Sequence, residues 1–79
     1  MDEMEKIAFT LTSDWIALDD LLKVTGVAPS GGTAKLMIGD EQVSVDGAVE
    51  TRKTCKIRAA QTVTLDGVLI VVMPPASAA

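Results

Sequence analysis

The residues of this 79-residue chain that are best suited to hold a ligand are basic side chains near its middle. Five of the seven Lys and Arg residues fall between positions 35 and 58, whereas six of the eleven Asp and Glu residues fall in the first twenty. The net charge of −4, taken alone, argues against a polyanionic ligand. A local positive surface on an acidic domain nevertheless attracts phosphates to one face and repels them elsewhere. The clustered bases are Lys35, Arg52, Lys53, Lys56 and Arg58.

A second candidate for anion binding is the segment Ser30-Gly31-Gly32, which opens a predicted helix. Free backbone amides at a helix N-terminus attract anions, and glycine lets a phosphate approach closely. Lys35 lies about one turn further along, so both features share one surface if the basic residues pack beside this helix start. Two other interpretations stay open: the glycines form a flexible turn, and the basic residues only balance the acidic half of the chain.

Catalysis by this chain is not expected from its residue types. The absence of His removes the commonest general base, and a single Cys excludes an internal disulfide or a Cys–His pair. Cys55 lies between basic residues that could lower the pKa of its thiol, but a small apolar filler is the favoured interpretation. We therefore predict no enzyme, no cofactor and no metal site. The reducing cytoplasm is the expected compartment.

The hydrophobic pattern predicts a small α+β domain that positions these groups. Two helices of about ten residues cannot bury their apolar stripes alone, so we expect both to pack on one side of a mostly antiparallel sheet. Asp46-Gly47 and Asp66-Gly67 are predicted hairpin turns. The predicted elements are a strand at Ile7–Leu11, a helix from Ser13 or Asp14 to Val24 with Trp15 on its apolar side, a helix from Ser30 to Gly39, and strands near Val43–Val45, Ala48–Val49, Ile57, Val63–Leu65 and Val68–Val72.

The length allows a single domain, which we predict at residues 1–73, followed by a flexible tail at 74–79. The acidic start is not that of a signal peptide, and the apolar run Val68–Met73 is too short to span a bilayer. The two aromatic residues, Phe9 and Trp15, occupy core-like positions. A nucleic acid would therefore be recognised by its backbone and shape rather than by stacked bases.

Several short motifs, in their order and spacing, resemble the S-four RNA-binding domain, the alpha-L module of the fourth small-subunit ribosomal protein. The resemblance covers roughly residues 15–66. Within that family, the run from Val45 to Lys53, followed by Cys55-Lys56-Ile57, is similar to the short stand-alone bacterial YbcJ-like group. The other motifs are Leu18-Asp19-Asp20-Leu21-Leu22, Gly26, Ser30, Ala34–Ile38, Gln42–Gly47 and Gln61–Val63.

The resemblance implies non-catalytic binding of structured RNA, ribosomal or transfer RNA, through its phosphates. By position it implies phosphate contacts from Lys35 in the second helix and from the basic loop. The chain departs from the family pattern at Ala17 and Gly31, where many members carry Arg, and at Ala60-Gln61, where many carry Gly-Asp. The full set of candidate RNA-binding residues is Ser30, Gly31, Gly32, Lys35, Arg52, Lys53, Lys56 and Arg58.

Other functions remain as alternatives. The main one is a protein–protein interaction module that uses the acidic N-terminal half. A ubiquitin-like sulfur carrier is also small and α+β, but it requires a C-terminal Gly-Gly, whereas this sequence ends in Ala78-Ala79. We expect a monomer without membrane contact, which acts alone or beside another RNA-binding protein.

Overall fold

Two helices and seven strands are described by the computed structural model, which covers residues 4–75. The strand order is β1-β7-β6-β3-β4 in a five-stranded sheet and β2-β5 in a two-stranded ribbon. β1 and β7 are parallel, and the other pairs are antiparallel. The predicted α+β class is therefore confirmed. The elements are β1 (Glu5–Thr10), β2 (Ile16–Ala17), α1 (Leu18–Val24), α2 (Gly31–Gly39), β3 (Ser44–Val45), β4 (Ala48–Val49), β5 (Lys56–Ile57), β6 (Thr62–Leu65) and β7 (Val68–Met73).

One face of the five-stranded sheet belongs to the core. Because side chains alternate along a strand, the register determines which residues share a face. Ile70 in β7 is opposite Ile7 in β1 and Val63 in β6, and Phe9 is opposite Val72. These residues are buried or pack partly buried against the core. The alternation at Ile7–Leu11 is thus confirmed, and the pairing of the first strand with the last, which the sequence left open, is parallel.

Both predicted Asp-Gly hairpins are confirmed. Asp46 and Gly47 have φ of 51° and 89°, and Asp66 and Gly67 have φ of 47° and 78°. Two consecutive residues with positive φ are what a type I′ turn requires, and this turn matches the twist of the flanking strands. The Asp46 carboxylate also accepts a hydrogen bond from the backbone amide of Thr62 at 2.8 Å, which ties the first hairpin to β6.

Helix α2 has its predicted bounds, but its last turn ends differently from the prediction. The Ser30 hydroxyl caps the start by accepting a hydrogen bond from the Thr33 amide at 3.2 Å. At the other end, the left-handed residue is Glu41, with φ of 64°, and its amide donates to the Ile38 carbonyl at 3.1 Å. Gly39 is an ordinary helical residue, and its lack of a side chain makes room for the side chain of Lys53.

The predicted start of the first helix is wrong. Helix α1 begins at Leu18, and its N-cap, Ala17, makes no side-chain capping bond. Ser13 and Asp14 lie in a bend, because Ile16 and Ala17 are drawn into β2 instead. Trp15 therefore lies outside the helix.

Both helices bury their apolar sides in a single core with the strands. The buried residues of the helices are Leu18, Leu21 and Leu22 in α1 and Ala34 and Ile38 in α2. No helix within residues 4–75 is long and apolar enough to cross a membrane. Of the predicted tail, residues 76–79 lie outside the described residues, as do residues 1–3 of the predicted solvated start.

Candidate nucleic-acid interface

The basic segment, which we define as residues 50–58, is fixed to the start of α1 by backbone hydrogen bonds. The Leu18 amide donates to the Cys55 carbonyl at 2.9 Å, and the Asp19 amide donates to the Lys53 carbonyl at 3.0 Å. The first amides of a helix have no partner within the helix, so these two carbonyls take the place of a side-chain cap. The position of the basic segment is therefore set by the helix that it caps.

The β2–β5 ribbon orients the end of this segment. Ile16 is opposite Ile57, and Ala17 is opposite Lys56. Ile57 is fully buried and Ile16 packs against the core, so this pair forms the inner face of the ribbon. Alternation then places Ala17 and Lys56 on the outer face.

Trp15 and Arg58, the next residues along the two strands, continue this outer face by the same alternation. The Lys56 ammonium nitrogen lies 4.9 Å from the centre of the Trp15 ring, a cation–π contact that confirms this arrangement for Trp15. We call the outer face the ribbon face; it consists of Trp15, Ala17, Lys56 and Arg58. It thus combines one aromatic ring with two cations.

Lys35 is joined to this region through Asp19. Its ammonium donates a 2.7 Å hydrogen bond to Asp19 Oδ2, and the Asp19 residue is only 5% exposed. Burial alone would raise the pKa of Asp19, but the hydrogen bonds from Lys35 and from the Asp20 amide, together with the Lys35 charge, lower it below its usual value. The same pair raises the pKa of Lys35. Asp19 therefore connects the basic segment, through its amide, to α2, through its carboxylate.

Arg52 is paired with a carboxylate in its own segment. Its Nε donates to Glu50 Oε2 at 2.9 Å and its Nη2 donates to Oε1 at 3.0 Å, a bidentate geometry. These hydrogen bonds, with one from the Arg52 amide, lower the pKa of Glu50 to about 2. The Arg52 side chain is still 75% exposed, so its remaining N–H groups face solvent.

Cys55 shows no sign of activation by the neighbouring bases. Burial raises the pKa of its thiol, and the Glu50 carboxylate adds to this effect. Arg52 Nη2 lies 3.6 Å from the sulfur, but its charge is shared with Glu50. A protonated, partly buried thiol fits the filler interpretation, since thiolates are the reactive form.

Lys53 lies against the C-terminal end of α2. A Cβ atom built on Gly39 would be 3.4 Å from Lys53 Cε and 3.6 Å from Nζ, so the missing side chain makes room for this lysine. The C-terminal end of a helix is the negative end of its dipole, which favours an ammonium there. Within residues 4–75, Lys53, Lys56 and Arg58 form no ion pair.

The structure gathers most, but not all, of the predicted site residues. The basic segment meets α2 through Lys53 at Gly39, which is roughly 10 Å along the helix axis from Gly32 at 1.5 Å per residue. In the described part of the chain, no hydrogen bond joins the basic segment to Ser30, Gly31 or Gly32. A Cβ on Gly31 would meet nothing within 4 Å, so this helix start is open. The neighbour of the basic segment in the structure is therefore α1, whereas the sequence had led us to expect the start of α2.

Trp15 is a site feature that the sequence analysis missed. Its predicted core-like position is wrong, because the residue is 40% exposed. The available signal was that Leu18, Leu21 and Leu22 complete an apolar stripe without it. Ile16, one residue later, has the apolar character expected of an inward position in a strand, which leaves Trp15 facing outward.

An open hollow of about 450 Å³ lies beside these groups. It is lined by Arg52, Thr54, Cys55 and Lys56. Two of its four lining residues are cations, so the arrangement suits an anionic ligand. No group of three or more His, Cys, Asp or Glu side chains that could hold a metal ion occurs among residues 4–75.

Comparison with known proteins agrees with this geometry. The S4 domain family matches residues 9–73. YbcJ from Escherichia coli (strain K12) and YbcJ from Shigella flexneri are each 58% identical to this chain over 52 residues, which cover 66% of this chain and 74% of each relative. The solution structure of Escherichia coli YbcJ, described as revealing an alfaL motif involved in RNA-binding, superposes with a TM-score of 0.60 and 46% identity, over 90% of this chain and 91% of that one. The chain therefore belongs to the S4 domain family.

Proposed function

We propose that this chain binds structured RNA, of the ribosomal or transfer class, through backbone phosphates and without catalysis. The observation that carries the proposal is the attachment of the basic segment to the start of α1, which places this segment next to Asp19, the ion-pair partner of Lys35. The description of Escherichia coli YbcJ as containing a motif involved in RNA-binding supports the same conclusion. The proposed contacts are those of Lys35, Arg52, Lys53, Lys56 and Arg58, with the open amides at Ser30, Gly31 and Gly32 as a second phosphate site.

The local charge balance favours a few phosphates over a long polyanionic track. Two of the cations, Lys35 and Arg52, each share their charge with one carboxylate. Lys53 and Lys56 have no carboxylate partner in the described part of the chain, so they carry the larger share of phosphate attraction. The ion pairs of Lys35 and Arg52 also restrict side-chain motion and thereby orient these groups at the surface.

The salt dependence of RNA affinity tests this proposal. Contacts to about four phosphates predict a slope of log K against log salt near −3 to −4, because each contact contributes roughly −0.7 to −0.9. We expect Lys53→Ala to reduce the magnitude of the slope by about one and to weaken two stems of different sequence equally. Arg52→Ala changes the slope in the same direction. Fluorescence anisotropy with labelled RNA hairpins measures both quantities.

Lys23→Ala is the matched control, since Lys23 is in the last turn of α1, at the opposite end from the basic segment. It removes the same charge from the chain, so net charge alone would make its effect equal to that of Lys53→Ala. An unchanged affinity in the Arg52→Ala, Lys53→Ala double variant would remove the basic segment from the site. Recovery of a protein partner that persists after nuclease treatment, with no bound RNA, would favour the interaction module that uses the acidic N-terminal half.

We also propose that the chain acts as a monomer in the cytoplasm, alone or beside another RNA-binding protein. The single, partly buried Cys55 is compatible with a reducing compartment.

A further inference from the structure

We propose that Trp15 stacks on an unpaired base of the bound RNA, so that the chain prefers a bulge or loop next to a paired stem. The inference rests on the proposed RNA binding and adds the class of RNA structure that is recognised. It starts from a large aromatic side chain that the core does not use: Trp15 is 40% exposed, while its neighbour Ile16 packs inward.

The Trp15 ring is available to a ligand. The residue is 40% exposed, and its one cation–π partner among the described residues is Lys56, whose ammonium lies 4.9 Å from the ring centre. Ala17, the next residue on the ribbon face, carries only a methyl group, so no long side chain projects from that position beside the ring. A cation–π contact at an exposed site is weak, so an RNA base can displace Lys56.

The cation at the ring also lines the positive hollow, and this arrangement suits a nucleotide. Lys56 belongs both to the ribbon face and to the hollow lined by Arg52, Thr54 and Cys55. A base stacked on Trp15 would have its own phosphate within the reach of an ammonium that has just left the ring. Proteins that bind single-stranded nucleic acid combine these two elements, aromatic platforms for bases and a positive groove for the backbone.

The partner must be an unpaired base rather than a base within a helix. In a paired stem both faces of a base are already stacked on their neighbours, whereas bulged or looped bases can be splayed out onto aromatic side chains. A single exposed Trp offers room for one such base. The phosphate contacts of the basic segment then position the stem, and Trp15 distinguishes a stem with a bulge from one without.

The test compares four proteins, the native chain and three variants, on two RNAs. The RNAs are a hairpin with a one-nucleotide bulge and the same hairpin with an abasic nucleotide at the bulge, which keeps the phosphate and the flexibility but removes the base. We expect the native chain to bind the base-containing hairpin roughly tenfold more tightly than the abasic one. Trp15→Leu should bind both hairpins equally, and Trp15→Phe should keep part of the preference. Met73→Ala, which truncates a similarly exposed apolar residue in β7, should leave the tenfold ratio unchanged.

Tryptophan fluorescence provides an independent readout, since the chain has one Trp and no Tyr. The base-containing hairpin should quench the emission of Trp15, and the abasic hairpin should quench it much less. Equal affinity for both hairpins, with equal quenching, would overturn the stacking proposal and leave phosphate binding intact. Failure of the native chain to bind either hairpin would overturn both proposals. Circular dichroism of each variant confirms that the fold is retained.

Discussion

The five-stranded sheet and the β2–β5 ribbon are held in place by different interactions. The strands of the large sheet contain only two charged residues, Glu5 and Lys6, and their inward side chains form one continuous apolar face. The ribbon has two residues in each strand, and one of its strands, β5, follows the most basic part of the chain. It is held by one buried inward residue, Ile57, and by the carbonyl groups that cap α1.

This difference separates the scaffold of the protein from its candidate interface. The five-stranded sheet is positioned by its hydrophobic periodicity. Its strands contain few charged residues, so the sheet offers few contacts to a charged ligand. The ribbon and the basic segment have few apolar residues of their own, so they depend on α1 for their position. Four of the five candidate cations, all except Lys35, therefore lie on a part of the fold that has few core contacts of its own.

The largest expected effect is a loss of stability when the buried, inward-facing residue of the β2–β5 ribbon is truncated. Ile57→Ala removes a fully buried side chain and should lower the free energy of unfolding by about 2–5 kcal/mol. Ile70→Ala in β7, which is equally buried, is the matched variant in the large sheet. Urea denaturation followed by circular dichroism measures both.

Comparable losses in these two variants would show that the ribbon and the large sheet share one cooperative core. Hydrogen exchange then separates the two regions: only Ile57→Ala should speed exchange at the Leu18 and Asp19 amides beyond the change in global stability. A loss below about 0.5 kcal/mol for Ile57→Ala would contradict a shared core, since surface changes are typically that small.

The second effect concerns the ion pair that links α1 to α2. Asp19→Ala should lower the free energy of unfolding by about 1–2 kcal/mol, less than for a fully buried pair because Lys35 is half exposed. The lowered pKa of Asp19 gives the pH dependence its sign. Its contribution is fully present above the unfolded value of about 3.8 and is lost as the pH falls through the lower folded value.

Urea titrations between pH 5 and pH 2 measure the free energy of unfolding of the native chain, of Asp19→Ala and of Glu50→Gln. The last variant removes the other carboxylate whose pKa is lowered by an ion pair. Glu50 also contributes above its unfolded pKa of 4.5, and this contribution disappears as the pH falls toward about 2. Each substitution should flatten part of the acid limb of the stability curve. If Asp19→Ala kept the native acid dependence, the pair with Lys35 would not be a source of stability.

Local signals in the sequence were sufficient for the hairpins and for α2. Asp46-Gly47 and Asp66-Gly67 specify their turns by backbone conformation, and Ser30 caps a helix with its own side chain. The start of α1 was predicted wrongly because its caps are carbonyls of Lys53 and Cys55, more than thirty residues away. No local pattern encodes that contact.

The ion-pair partners of the site cations are also of two kinds, one near in sequence and one distant. Glu50 is two residues from Arg52, so their pairing is predictable from the sequence. Asp19 and Lys35 are separated by 16 residues and meet only because α1 and α2 pack together. The RNA-binding roles of all candidate residues remain predictions that the affinity measurements test.

The smallest expected effect is a gain of affinity on the ribbon face. Ala17 is directly opposite Lys56 on the ribbon face. We expect Ala17→Arg to strengthen RNA binding a few-fold and to steepen the salt slope by roughly 0.7–0.9, the value of one added phosphate contact. The same variant should lose a few tenths of a kcal/mol in stability, because a cation is unfavourable near a helix N-terminus and opposite a like charge.

Ala17→Gln separates the charge from the length of the new side chain. It adds a long polar group without a charge, so it should leave the salt slope unchanged. Val49→Arg in β4 places the same new charge at an exposed position of the five-stranded sheet. If Val49→Arg steepened the slope as much as Ala17→Arg, the added charge would act through the whole molecule, and the distinction between scaffold and interface would fail. A steeper slope for Ala17→Arg alone would locate the phosphates next to the ribbon face.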